Sequence, residues 1–322
     1  MSIEILQTAK DWQDEGRQVA LATVSRTWGS APFPVGSQLA ADDQGNFMGS
    51  VSGGCIEGAV IAEARGAIKD GKIRNLEFSV SNEDAWEVGL ACGGTINIFV
   101  EPAPAELPDI LAASDAGHSI ALTTNLADGA HQLFNANNAP DDIAKAMRDD
   151  RSRPLEDDQF VRVFNTPRRL AVIGAVHIAQ ELVPIAQKAG FDVTVIDPRE
   201  AFASEERFPG VTLSHDWPDE AMRKFAPDRR SAIVTLTHDP KLDDPALDVA
   251  LPSDSFYIGA LGSKRTQAKR VARLTEAGFT PEQISRIHGP IGLDINAQSP
   301  AEIAISIMAE IIGVLREPPV DD

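Results

Sequence analysis

Two glycine-flanked thiols are the side chains of this sequence best placed to do chemistry. Ser52-Gly53-Gly54-Cys55 runs directly into an apolar helical pattern that begins at Ile56, and Cys92 is followed by Gly93 and Gly94. Consecutive glycines open backbone N–H groups to a ligand, and a helix N-terminus attracts negative charge, so Cys55 fits a reactive or ligating sulfur. A small packed cysteine is the alternative at both positions, because Cys is among the most buried residue types. Neither thiol has a Cys-x-x-Cys or Cys-x-x-His neighbour, so the pair cannot complete a zinc shell. A soft metal held partly by the protein, or a sulfur relay, can still use them.

The second constellation lies toward the C-terminus. Leu170 to Ala179 reads as strand, tight turn and helix, and Asp197 closes the next strand 23 residues after Gly174. This is the context of a dinucleotide fingerprint, with Gly174 and His177 in the turn and Asp197 facing a ribose. Val176 stands where the fingerprint needs a glycine and puts a side chain in the path of a pyrophosphate. Three further loops follow strands. Thr237 to Pro245 supplies His238, Asp239 and Lys241. Gly259 to Arg265 supplies Gly262, Ser263, Lys264 and Arg265 at a helix start, and His288 opens a loop reaching Asp294. A basic glycine turn at a helix start suits a phosphate. Each loop taken alone also reads as a solvent-facing turn, and His288 as structural. One functional reading is an NAD(P)-dependent oxidoreductase with Asp197 on the ribose and His238 or His288 as proton donor.

Positioning these residues requires the following elements. Ile3 to Gln13 is helical in period, Val19 to Val24 is a buried strand, and a hairpin turns at Asp43 to Asn46. The helix from Ile56 to Lys69 and strands at Ile73 to Val80 and Thr95 to Val100 complete an N-terminal mixed α/β domain, 1–104, closed by Pro102 and Pro104. Residues 105–167 form a connecting region with a short helix and strands such as Ser119 to Thr124. From Arg168 strands alternate with helices through 168–322, the signature of a Rossmann-like doubly wound parallel sheet. Five strands are expected there, and a final helix near 299–315 starts with Ser299 as N-cap and Pro300 as its first residue.

The chain has 322 residues and a formal charge of −19, which argues against nucleic acid and anionic membrane as partners. Two cysteines exclude a disulfide framework and suit a reducing compartment. The opening residues lack the pattern of a signal peptide, and no apolar run of about 18 residues exists to span a bilayer, so a cytoplasmic location is expected.

The residues together resemble the xanthine dehydrogenase accessory factors of the XdhC/CoxI type. The likeness rests on Thr27-Trp28-Gly-Ser-Ala-Pro32, Gly49 to Gly58 including Glu57, and Cys92 to Gly94 in the first half. In the second half it rests on Asp197 to Phe202, His238 to Pro245, Gly259 to Ser263 and His288 to Asp294. It implies a protein that binds molybdenum cofactor, protects it while a terminal sulfido ligand is installed, and hands it to an apo molybdenum hydroxylase. It also implies homo-oligomers and work beside a cysteine desulfurase. On this likeness Trp28, Ser52 to Cys55, Glu57 and Cys92 to Gly94 are cofactor-binding, with Cys55 and Cys92 approaching molybdenum or its sulfur. Ser263, Lys264 and Arg265 take the phosphate, and the cofactor sits between the domains.

Overall fold

The computed structural model describes residues 2–29, 31, 33–79 and 94–317; Cys92 and Gly93 lie outside them. The chain divides into two compact units, Met1–Thr166 and Pro167–Asp322.

In the first unit, α1 (Ser2–Asp14), β1 (Val19–Trp28), β2 (Gln38–Asp42), β3 (Phe47–Gly49), α2 (Glu57–Asp70), β4 (Arg74–Ser79) and β5 (Thr95–Pro102) follow one another. The strands form an antiparallel sheet in the order β3-β2-β1-β5-β4. β1 is buried without a break from Val19 to Ser25 because both of its faces are covered there. Ala20, Ala22 and Val24 pack with Val60, Ala64 and Ala67 of α2, while Val19 and Leu21 pack with Ile5, Leu6 and Ala9 of α1. A β-bulge interrupts its pairing with β5 between Val24 and Arg26.

Residues 105–167 fold as α3 (Leu107–Asp115), β6 (Ile120–Asn125), β7 (His131–Asn135), α4 (Asp141–Asp149), β8 (Arg153–Pro154) and β9 (Gln159–Phe164). Their strands make a second sheet, β7-β6-β9-β8. Leu122 and Phe164 of this sheet share a core cluster with Leu21, Leu107 and Ile110, so the segment packs as part of the first unit.

The second unit contains β10 (Arg168–Ile173), α5 (His177–Lys188), β11 (Phe191–Ile196), β12 (Thr212–Ser214), α6 (Pro218–Phe225), β13 (Ser231–Thr235), α7 (Pro240–Ala250), β14 (Tyr257–Ala260), α8 (Lys264–Glu276), α9 (Pro281–Ser285), β15 (Ile287–His288) and α10 (Pro300–Arg316). All six strands run parallel in the order β12-β11-β10-β13-β14-β15. Numbered within the unit, that is the 3-2-1-4-5-6 order of dinucleotide-binding folds. Leu170 and Val172 of β10 enter one core cluster and Ala171 and Ile173 the other, so the sheet is covered on both faces. The sixth strand, absent from the five-strand expectation, is two residues long and leaves no periodic trace. α7 begins at Pro240, earlier than the sequence pattern, because the Asp239 carboxylate caps it by accepting the Lys241 N–H. Ser299 caps α10, in a capping box with Glu302.

Candidate functional site

Parallel strands leave their loops at one edge, so Gly174, Asp197, His238, Gly262 and His288 all lie at the carboxyl end of the second unit's sheet. Gly174 has φ +102, donates its N–H to the Ile196 carbonyl at 2.9 Å, and lies so close to Thr237 that a Cβ would press into that side chain. α5 starts here with no side-chain cap. Val176 at the N-cap is packed partly against the core, and His177, the first helical residue, is exposed.

Asp197 is fully buried, and its acceptors are filled from within. Oδ1 accepts the Arg199 N–H at 3.0 Å and Nε at 2.8 Å; Oδ2 accepts the Ala175 N–H at 2.9 Å and Arg199 Nη2 at 2.6 Å. A carboxylate offers about four acceptor directions, so none is left for a ribose hydroxyl. Burial alone would raise its pKa, but the Arg199 and backbone hydrogen bonds outweigh burial and hold it below the usual range. The Arg199 guanidinium lies 4.1 Å from the Phe202 ring centroid, which fixes it in place.

The start of α8 is arranged differently. Ser263 caps it by accepting the Thr266 N–H at 3.2 Å, Lys264 and Arg265 stand exposed, and no acidic residue occupies the first turn. Gly262 has φ +150, and a Cβ there would come within 2.9 Å of the Thr266 side chain. Cations, open amides and the helix dipole together favour an anion. Across the edge, His238 is exposed with a left-handed φ of 60, beside Asp239 and the exposed Lys241. His288 is held structurally. It stacks on Tyr257 at 4.7 Å between centroids, with Nδ1 3.4 Å from Glu310 Oε1, and Glu310 Oε2 also accepts the Gly292 N–H at 2.8 Å.

A buried network joining Asp243 of the His238–Pro245 motif to residues outside every motif ties these loops together. The Asp243 carboxylate accepts the Thr237 hydroxyl at 2.6 Å and faces the Arg270 guanidinium at 3.5 Å; both ionic residues are 1% exposed. Burial raises the Asp243 pKa, against the pull of Thr237 and Arg270. Arg270 also donates to the Leu261 carbonyl at 2.9 Å and to Gln267 Oε1 at 2.6 Å, and Gln267 fills the space beside Gly289. One ion pair thus fixes the loops after β13, β14 and β15.

In the first unit the Ser52-Gly-Gly-Cys55 segment wraps a carboxylate of its own chain. Glu57 is 7% exposed. Its Oε1 accepts the Ser50 hydroxyl at 2.6 Å and the N–H groups of Val51, Ser52 and Gly53 at 3.2, 2.9 and 3.0 Å. Its Oε2 accepts the Ser52 hydroxyl at 2.5 Å and the Gly54 N–H at 2.8 Å. Burial would raise the Glu57 pKa; the hydroxyl and amide donors win and lower it to about 2. The donors expected to face a ligand therefore face Glu57. Gly53 and Gly54 carry φ of 78 and 112, which the wrap requires, and Phe33 lies 3.4 Å from where a Gly53 Cβ would be. α2 begins at Glu57 with Ile56 as N-cap, so half-buried Cys55 sits one residue before the cap and packs partly against the core. Trp28, at the end of β1, is 75% exposed and pairs across the sheet with Thr95, next to Gly94. Among the described residues no three His, Cys, Asp or Glu side chains converge as a metal site, and no helix is long and apolar enough to cross a membrane.

The first unit also holds a cavity of about 400 Å³ that none of the described motif residues lines. Ser25 and Arg26 beside the bulge, Asn75 and Leu76 of β4, and Asp158 and Gln159 from the β8–β9 hairpin form part of its wall.

Comparison with known proteins follows this division. Residues 170–311 match the family model described as the XdhC Rossmann domain, and residues 12–79 match that of the XdhC and CoxI family. The "Molybdenum cofactor insertion chaperone PaoD" of Escherichia coli is 25% identical over 96% of this chain and 87% of its own length. A Bacillus subtilis protein named as a probable xanthine dehydrogenase subunit is 28% identical over 93% of this chain and 94% of its own length. A crystal structure from Bacillus halodurans titled as a xanthine dehydrogenase superposes with a TM-score of 0.79 at 26% identity, over 100% of this chain and 98% of that one.

Proposed function

The chain belongs to the XdhC and CoxI family, and from that membership we propose that it carries molybdenum cofactor as cargo in the cytoplasm, assists its sulfuration, and delivers it to an apo molybdenum hydroxylase. The start of α8 supports this best: exposed Lys264 and Arg265 on a first turn without acidic residues suit the phosphate that the cofactor carries. Cys55, on a loop fixed by Glu57, supplies a soft thiol for molybdenum or its terminal sulfur. Sulfur arriving from a cysteine desulfurase, Cys92 as a second thiol and assembly with further copies of the chain belong to the same proposal. His238, Asp239 and Lys241 offer polar contacts on the same sheet edge.

The 3-2-1-4-5-6 strand order and the uncapped start of α5 favour a second reading, an NAD(P) site. Against it, Asp197 has no acceptor left for a ribose.

Anaerobic titration of molybdenum cofactor into the wild type, Cys55→Ala and Lys264→Ala, with NAD(H) as the comparison ligand, separates the two. Saturable cofactor binding that Lys264→Ala weakens about tenfold is expected, the scale of one charge-assisted contact. Tight binding of NAD(H) alone would overturn the proposal.

A further inference from the structure

We propose that the 400 Å³ cavity of the first unit binds a planar heterocycle through an aminopyrimidinone edge, the edge shared by pterins and guanine. The inference deepens the cofactor-carrying reading by giving the pterin part of that cargo a place. The volume falls within the range of about 300–1,000 Å³ usual for small-molecule pockets.

The cavity wall differs from both glycine motifs in having open polar groups. Asp158, Gln159 and Arg26 line it, and no side-chain hydrogen bond or ion pair engages the carboxylate, amide or guanidinium of the three among the described residues. Asn75 Nδ2 donates to the Leu126 carbonyl at 2.7 Å, which ties β4 to the β6–β7 turn and leaves Oδ1 able to accept. Asp158 is presented by a tight turn in which the Gln159 N–H donates to the Glu156 carbonyl at 3.1 Å. Asp157 and Asp158 there adopt left-handed φ of 53 and 57. Such a turn prefers glycine, so a carboxylate at Asp158 is held at some conformational cost. The register shift of β1 against β5 next to Arg26 is an irregularity of the kind that recurs beside functional sites.

An aminopyrimidinone places an amino group and a ring N–H side by side, with a carbonyl next to them. A carboxylate accepts both donors at once, and an amide or guanidinium donates to the carbonyl. Asp158 fits the first role and Gln159 with Arg26 the second, while Leu126 and Leu155 supply apolar surface for the ring faces. A single guanidinium beside a carboxylate is a poor phosphate site, which favours the heterocycle over the phosphate as occupant.

The test is a fluorescence titration with biopterin, and guanosine as competitor, on the full chain and its Asp158→Asn, Gln159→Leu and Lys264→Ala variants. Asn tolerates the left-handed conformation, so Asp158→Asn keeps the turn while turning one acceptor into a donor. Saturable biopterin binding is expected, weakened at least about tenfold by Asp158→Asn, less by Gln159→Leu, and unchanged by Lys264→Ala. Displacement by guanosine assigns the site to the shared edge, and resistance to it assigns the site to pterins. No saturation, or binding indifferent to Asp158→Asn, overturns the proposal. If intact cofactor binds with the same affinity to Asp158→Asn, the cavity assignment falls and the carrier function stands. If biopterin behaves as expected while intact cofactor does not bind, the carrier function falls and the cavity assignment stands.

Discussion

Replacing Glu57 by Gln tests the wrap that precedes α2. The carboxyl pKa is about 2 in the folded chain against 4.5 for an ordinary Glu, and at roughly 1.4 kcal/mol per unit this corresponds to about 3 kcal/mol of stability at neutral pH. The group's pKa is lowered by folding, so its contribution is fully present above pH 4.5 and is lost as pH falls toward 2. At pH 3 about 1 kcal/mol should remain. Glu57→Gln carries no charge at any pH and puts an NH₂ among donors, as the protonated acid does a hydroxyl. The variant is therefore expected to be about 3 kcal/mol less stable at pH 7 and about 1 kcal/mol less stable at pH 3. Guanidinium unfolding of both proteins between pH 3 and 7, followed by tryptophan fluorescence, measures this. Amide exchange at Ser52, Gly53 and Gly54 should accelerate in the variant before any other amides of the first unit. A difference independent of pH, or below about 1 kcal/mol at pH 7, would refute the claim that these donors stabilise the charged carboxylate.

Three further outcomes follow from buried groups. Arg270→Met strands Asp243 without its cation and is expected to cost about 3–5 kcal/mol in chemical denaturation, whereas Asp243→Leu combined with Arg270→Met recovers most of it. Burial lowers the His131 pKa, but Glu101 Oε2 at 2.8 Å from Nε2 outweighs burial and raises it above the ordinary 6.5. The His131 contribution is present below pH 6.5 and is lost as pH rises through its folded value, whereas burial raises the Glu101 carboxyl above its ordinary range, so the ion pair itself also fails once that carboxyl protonates in acid. NMR titration should show the high His131 midpoint, and His131→Gln should remove the alkaline slope from the stability profile. Gly174→Ala forces a Cβ into Thr237 at φ +102 and is expected to cost about 2 kcal/mol or more, read as a drop in the denaturation midpoint.

The second unit was legible because its strands are short apolar runs separated by amphipathic helices, and β10, β11 and β13 end within two residues of their expected positions. β15 was not, since two residues carry no period. Within 105–167 the sheet's strands are polar at many positions, as in His131–Asn135, and the sheet is covered on both faces, by the core shared with α3 and by α4, which leaves weak alternation. The glycine motifs do fall on turns, but spacing cannot say where a hydrogen bond goes. Gly53 and Gly54 looked open because nothing in the pattern shows that Glu57, at the first turn of α2, folds back under them. Arg26, Asn75 and Asp158 were invisible for another reason: they come from separate strands and a hairpin and meet only in the folded chain.

Which of the turns can take an external anion follows from which is already occupied. At Glu57 six donors converge on one carboxylate, and an incoming phosphate would have to displace a buried charge that has no other partner, at a cost of several kcal/mol. At Asp197 the same holds with Arg199 as the cation. The start of α8 has neither obstacle: its cap is a neutral serine, its cations face outward, and its first turn holds no acid. A phosphate arriving there would neutralise Lys264 and Arg265 without breaking an internal ion pair, so under the proposed carrier function this is the turn expected to take the cargo's phosphate.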